Sequence, residues 1–213
     1  MTEQEIRILQ DRLDDVMRSR SLGHGAHKGL DDGMCVMEAV AYVAGCPWSD
    51  SPPCVCPVIA TFMRNWNDNL PTDKDRDRLL KPLIPALIGT KASDRLSERR
   101  SYMTLDWLIR VHTPKWLDLV PSLKPHALAL RDLDEIADMA GAVAAGKKTA
   151  AARAAAWDAA WAAARDAAGA AAGAAAGDAL KPITEWLQAS AQDLVRRMCE
   201  LKDEVQPYFG RVA

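Results

Sequence analysis

The chain has 213 residues, 49% hydrophobic and 26% charged, and its 27 basic and 29 acidic residues leave a formal net charge of -2. This length can bury a substantial core without a disulfide staple. The charge balance lacks the basic excess of a dedicated nucleic-acid binder, so a nucleic-acid partner is not supported. The N-terminal residues show no apolar signal segment, and the uncharged stretch 167–177 is far shorter than a membrane span. We therefore expect a cytoplasmic protein that does not enter a membrane.

Residues 2–17 carry apolar side chains in a three-four spacing on an otherwise charged segment, which predicts a peripheral amphipathic helix. The following segment, 19–33, contains four glycines and predicts a mobile connector, in which Asp31 and Asp32 could cap the next helix. Residues 34–44 are apolar all round the helical wheel, which is typical of a buried helix, and the glycine that follows should end it.

Four prolines in the segment Cys46–Pro57 predict an ordered loop folded over the core, because proline is excluded from helix interiors and central strands. Pro57 suits the first position of a helix that runs to about Asn69. Thr72 followed by Asp75 predicts a capped helix start, and the prolines later in that helix must kink or break it.

A further helix should begin at Ser93 or Ser97, and Thr113 with Pro114 predicts a cap and a first-turn proline for a short helical turn. Basic residues lie away from the apolar face of the first of these helices. We expect them to form a solvated surface: Arg95, Arg99 and Arg100.

The C-terminal region joins an alanine-rich segment to a heptad-like one. Alanine, the strongest helix former, dominates 141–177, so a helix is predicted despite the glycines. From Leu180 to Val205 apolar residues keep three-four spacing for over three heptads, which is typical of a coiled-coil-like seam. Folding the second helix back on the first predicts a long antiparallel hairpin with small residues opposite large ones.

No segment shows the period-two alternation of a strand, so we predict an all-α fold: a helical bundle with this C-terminal antiparallel hairpin. We divide the chain into a helical core domain, 1–130, and the hairpin, 131–213, packed on the core or extending from it. Nothing in the heptad-like seam limits it to packing against a single helix. We therefore expect a protein partner or a homo-oligomer through residues 147–205.

Glu38 is the only charged residue between Gly33 and Asp50. It shares one stripe of its helix with Cys35 and Tyr42. A carboxylate in so apolar a helix should show a raised pKa unless a cation or several donors meet it, and perturbed groups concentrate at functional sites. The stripe therefore supplies the catalytic candidates Cys35, Glu38 and Tyr42.

A structural role for Glu38 is the alternative. In that interpretation its carboxylate accepts hydrogen bonds from the Trp48 indole, from a loop backbone or from an arginine of the 95–100 cluster, and so fixes the Cys46–Pro57 loop to the core.

The cysteines and two histidines raise the question of a metal. Cys54 and Cys56 precede a predicted helix, whose positive end favours a thiolate, and Cys35, His24 and His27 could complete a zinc ligand set. The spacing is Cys-x-Cys rather than paired Cys-x-x-Cys, and such cysteines are more often small buried hydrophobes. We predict no cofactor, with zinc as the alternative.

One block of the sequence resembles a known family. It comprises GMCVMEAVAYVAG at 33–45, Pro47, SD at 49–50 and CVCPVI at 54–59, and it continues through LLKPLIP at 79–85. This block is similar to uncharacterised all-helical proteins of actinobacteria and their phages, and the resemblance covers residues from about 30 to 120. Cys46 stands where an acidic residue is usual in that family, which argues against Cys46 as a required ligand. The resemblance implies no known activity.

Taken together, these patterns favour a non-catalytic helical interaction protein of phage or mobile-element type, acting by protein binding or self-association. The alternative is a small thiol- or metal-dependent enzyme, or a metal-binding protein, with its site around Cys35, Glu38, Cys54 and Cys56. This alternative is favoured by the concentration of cysteines and of one buried carboxylate at 33–57, which a purely structural protein does not require.

Overall fold

The computed structural model describes residues 8–166 and 172–203, and the side chains within 8–159 and 180–203. These residues are helical or irregular and contain no β-strand, which confirms the predicted all-α class for this portion of the chain. The α-helices are α1 (Gln10–Ser19), α2 (Val36–Ala44), α3 (Pro57–Asn69), α4 (Asp73–Leu80), α5 (Ile84–Leu87), α6 (Asp94–Asp106), α7 (Thr113–Leu117), α8 (Lys124–Arg131), α9 (Met139–Asp166) and α10 (Ala172–Glu200).

Several local signals produce the predicted boundaries. The hydroxyl of Thr72 accepts a hydrogen bond from the Asp75 amide and caps α4, and Pro57 occupies the first turn of α3. Gly45 ends α2 in a left-handed conformation, with a φ of 68°. The two prolines after α4 break it as expected, since a 3-10 turn, Lys81–Leu83, separates it from α5.

Other boundaries differ from the prediction. Helix α2 is capped by Cys35, not by Asp31 or Asp32. Thr113 is not a cap, because a π-helical segment, Trp107–His112, leads directly into α7 and the Thr113 hydroxyl donates back to the Leu108 carbonyl. The expected solvated basic cluster is wrong for Arg100, whose side chain is among the largest fully buried ones.

The chain divides into two compact units. The first comprises Met1–Glu98 with Val195–Ala213, and the second comprises Arg99–Leu194. The sequence-based division into 1–130 and 131–213 stays a prediction.

In the first unit, α2 forms the centre of the core. It is buried on nearly every side, as predicted, and packs against α1, α3 and α5. The Cys46–Pro57 loop folds over this core, with Pro52 and the run Cys54–Cys56 buried, which confirms the loop prediction. The first unit is therefore organised around one apolar helix and the irregular segments at its two ends.

In the second unit, α9 packs against α8 and the preceding 3-10 turn, Pro121–Leu123. Ala152 of α9 belongs to a buried cluster contributed mainly by α7, α8 and that turn. Its members are Leu117, Leu123, Ala127, Leu130 and Ala152. Small side chains thus let the alanine-rich helix approach a neighbour that sequence analysis did not predict.

The heptad-like stripe of α10 is buried from Leu187 to Met198. Its pairing with α9 as an antiparallel hairpin stays a prediction, and residues 167–171 and 204–213 of that hairpin lie outside the described residues. No helix in the described ranges is both long and apolar enough to cross a membrane.

Candidate functional site: a buried carboxylate at the start of α2

Glu38 lies in the first turn of α2 and is 1% exposed. Its carboxylate accepts three hydrogen bonds: from the backbone amide of His27 at 2.7 Å, from the His27 ring Nδ1 at 2.8 Å and from the backbone amide of Cys35 at 2.8 Å. The bond to Cys35 is one half of a capping box, in which an N3 carboxylate satisfies the amide of the N-cap residue. Several donors therefore meet the buried carboxylate, as a structural role requires.

His27 connects this carboxylate to two other regions of the first unit. Its backbone carbonyl accepts a hydrogen bond of 2.9 Å from the Trp48 indole. Its ring lies so close to two glycines that a Cβ at Gly23 would come within 3.0 Å of Nε2, and one at Gly33 within 2.8 Å of Cδ2. The glycine-rich segment predicted as a mobile connector is thus fixed around an imidazole ring.

Asn67 of α3 provides a second attachment for the same segment. Its carbonyl oxygen accepts from the Val36 amide at 3.2 Å, and its amide group donates to the Gly23 carbonyl at 2.9 Å. Arg76, itself buried, donates to the backbone carbonyl of Asn67. Two side chains, Glu38 and Asn67, therefore satisfy backbone groups at the start of α2 and anchor the connector as well.

The Asp68 carboxylate completes this side of the site. It accepts from the Gly25 amide at 2.9 Å and from the Asn67 side chain at 3.0 Å. Partial burial opposes ionisation, but these two hydrogen bonds, together with the charges of His24 and Arg76, outweigh it, and the pKa of Asp68 lies below the ordinary value for an aspartate.

The recorded contacts of Tyr42, the third catalytic candidate, are with α1. Its hydroxyl donates to Asp15, its backbone carbonyl accepts from Arg12, and the guanidinium groups of Arg12 and Arg20 lie over its ring. Cys35 and Glu38 are thus brought together by a capping box, whereas Tyr42 holds α1 against the C-terminal half of α2.

Two of the candidate thiols have raised pKa values. Burial raises the pKa of Cys35 to about 12, and the nearby Glu38 carboxylate adds to that shift. Burial, followed by a side-chain hydrogen bond with Cys46, raises the pKa of Cys54 to about 12, although the helix end after Cys54 was expected to favour a thiolate. Both thiols are protonated at neutral pH.

The zinc alternative receives no support from the geometry. Within the described ranges, no three histidine, cysteine, aspartate or glutamate side chains form a group that could hold a metal ion. The five proposed ligands all lie in those ranges: Cys54, Cys56, Cys35, His24 and His27. His27 is instead a partner of Glu38, and the absence of a cofactor stays a prediction.

Sequence analysis identified Glu38 and placed it beside Cys35, but it did not identify His27 as a partner of the carboxylate. A loop backbone was among the expected donors, and the structure supplies one from the segment 19–33. Trp48 acts indirectly, by donating to the His27 carbonyl, and the arginines of the 95–100 cluster are not among the recorded donors to Glu38. His27 was singled out only as a possible zinc ligand. Its position in the glycine-rich segment becomes meaningful once its ring is seen packed against Gly23 and Gly33.

Comparison of the chain with protein-family models, curated proteins and solved structures finds no match. The fold and the site therefore define it only as an all-α protein in which a buried, hydrogen-bonded carboxylate fixes a glycine-rich segment to the core.

Proposed function

We propose that this chain is a non-catalytic helical interaction protein that acts by protein binding or self-association through its second unit. One observation carries the proposal. Of the eleven large hydrophobic side chains exposed in the described residues, nine lie in Arg99–Leu194. We call these nine the exposed apolar set: Leu108, Trp116, Leu119, Val120, Leu128, Met139, Val143, Trp157 and Trp186.

The composition of the set supports an interaction role. Isolated exposed hydrophobic residues are ordinary on protein surfaces, whereas contiguous exposed apolar patches mark interaction sites. The distribution of nine residues against two favours the second unit for such a patch. The set includes three tryptophans, and tryptophan is enriched among the residues that dominate binding energy at protein interfaces. The first unit contributes only Ile8 and Met17 to the exposed large hydrophobics of the described chain.

The contacts of Glu38 support the non-catalytic aspect of the proposal. Its oxygens are engaged by backbone and ring donors of the protein itself, and the buried thiols of Cys35 and Cys54 have raised pKa values. A general base must reach the proton of a substrate, and a thiol nucleophile must ionise. The thiol or metal alternative has no comparable observation in its favour, and the phage or mobile-element setting rests on the sequence resemblance alone.

A photo-crosslinking amino acid at position 128 tests the proposal. Leu128 is 58% exposed on α8, and Met17, which is 44% exposed on α1, provides a matched control. We expect position 128 of the full chain to give a discrete crosslinked species, either a second copy or a specific protein, in the cells that produce it. Position 17 should give none. Equal crosslinking at the two positions, or none at either, would contradict the proposal.

A further inference from the structure

The outward face of α9 presents a regular pattern of exposed residues. Met139, Val143, Gly146, Ala150 and Arg153 follow one another at four-three-four-three spacing, and all five are exposed. Met139 is 66% and Val143 69% exposed. This spacing places them on one stripe of the helix. The buried residues of α9, Ala145 and Ala152, lie on a different side, so α9 is already packed on one side only.

The stripe is large at one end and small in its middle. Met139 and Val143 lie in the first turns, whereas Gly146 and Ala150 follow. When two copies of this helix run antiparallel, a register that sets Met139 of one copy opposite Ala150 of the other also sets Val143 opposite Gly146. Each large side chain then meets a small one, and the twofold axis repeats every contact.

Charged residues are also unevenly distributed along this region. The exposed residues just before α9 are acidic, namely Asp132, Asp134, Glu135 and Asp138, and those in the middle of α9 are basic, namely Lys147, Lys148 and Arg153. Within the described stretches of the chain, no ion pair is recorded for Asp134, Glu135, Lys147 or Arg153. In the register above, Met139 of each copy, which directly follows the acidic segment, lies opposite Ala150 of the other copy, one turn before Arg153.

We propose that the outward face of α9 is an interface for a second copy of this chain, paired antiparallel about the segment from Met139 to Arg153. The proposal rests on the proposed function and names its partner. Two features agree with this register: large residues fall opposite small ones, and the end of α9 that follows the acidic segment falls beside the basic middle of the other copy. Opposite charges across an interface fix its orientation and register.

Gly146 offers a variant that separates association from folding. A Cβ at Gly146 would meet no atom within 4 Å, and leucine has a higher helix propensity than glycine, so Gly146→Leu should preserve the folded chain. In the proposed dimer the same side chain would fill the space that the Val143 of the second copy occupies. We expect Gly146→Leu to weaken the dimer at least about tenfold.

The experiment measures the mass of the full chain by sedimentation over a range of concentrations. The wild type should reach twice the mass of one chain, Gly146→Leu should not, and Ala151→Leu, an exposed position off the stripe, should behave as the wild type. All three should show wild-type helix content and melting temperature or higher. A wild type that stays monomeric, or a dimer that survives Gly146→Leu, would overturn the proposal.

Charge reversal gives a second, independent measurement. Lys147→Glu with Arg153→Glu gives the middle of α9 a net negative charge beside the acidic segment, and Asp134→Lys with Glu135→Lys removes the net negative charge of that segment and places two lysines in it. Each double variant alone should be a monomer, whereas an equimolar mixture of the two should form a heterodimer. A mixture that stays monomeric would overturn the antiparallel pairing.

The outcomes also separate this interface from the proposed function. A dimer that survives all these variants while position 128 still crosslinks would overturn this interface and leave the proposed function standing. A wild type that neither dimerises nor crosslinks at position 128 would contradict both proposals.

Discussion

The start of α2 buries a charged side chain, whereas the outward face of α9 exposes apolar ones. At α2 a carboxylate lies in an apolar core, and hydrogen bonds from protein groups meet its oxygens. On α9 apolar side chains lie in water on a helix that packs along one side only. The polar group inside costs free energy unless it is paired, whereas the apolar groups outside cost free energy until a partner covers them. The contacts of Glu38 are thus those of an architectural residue, whereas recognition through the alanine-rich helix is our proposal.

Glu38→Gln tests whether the hydrogen bonds to the buried carboxylate stabilise the fold, and we expect it to have the largest effect. The amide nitrogen of glutamine donates hydrogen bonds and cannot accept them. At least one of the three protein donors that now bond to the carboxylate would therefore lose its acceptor and lie opposite another donor in the core. We expect a loss of about 2 kcal/mol in the free energy of unfolding, or roughly 4 to 8 °C in melting temperature. Thermal unfolding followed by circular dichroism measures it.

Cys35→Ser provides the control, because it keeps the helix cap and should change stability less. Self-association of Glu38→Gln should follow the folded fraction. A Glu38→Gln variant that melts like the wild type but no longer associates would place Glu38 in a functional site and contradict the structural assignment.

Gly33→Ala tests whether the connector is held by the His27 ring. Gly33 has a φ of 112°, and a Cβ there would lie 2.8 Å from the ring, so both the backbone and the side chain oppose alanine. We expect a loss of about 1 to 3 kcal/mol in the free energy of unfolding. Gly29→Ala in the same connector meets no atom within 4 Å and should change stability by less than about 0.5 kcal/mol. Equal effects of the two substitutions would show that the ring does not constrain the segment.

The sequence predicted features that depend on neighbours along the chain. The helix boundaries are examples, since each depends on residues within one turn. Gly45 ends α2, Pro57 begins α3, and Thr72 with Asp75 caps α4. The all-helical class follows from periodicity, which is also local.

Features that depend on distant contacts could not be predicted in the same way. His27 precedes Glu38 by eleven residues across a glycine-rich segment, and Asn67 is 31 residues from Val36. Nothing in their spacing indicates contact. Arg100 shows the same limit, because its charge predicted exposure and tertiary packing buried it.

A smaller effect is expected at His112, in the second unit. Its ring lies between two tryptophans, with ring centroids 5.1 Å from Trp107 and 6.2 Å from Trp116, and its Nε2 accepts from the Trp116 indole at 3.2 Å. Burial lowers the pKa of His112 below the ordinary histidine value. The folded state therefore favours the neutral ring, and protonation removes the acceptor that Trp116 uses.

The sign of the pH effect follows from that lowered pKa. The stabilisation is fully present above the ordinary histidine pKa of about 6.5 and is lost as the pH falls from there through the lower pKa of the folded state. We expect the wild type to lose more melting temperature than His112→Gln between neutral and mildly acidic pH, since glutamine does not titrate. Tryptophan fluorescence should fall over the same range only in the wild type, because a protonated imidazole would then lie beside Trp107 and Trp116. Equal pH dependence in both proteins would show that the ring does not titrate in this range.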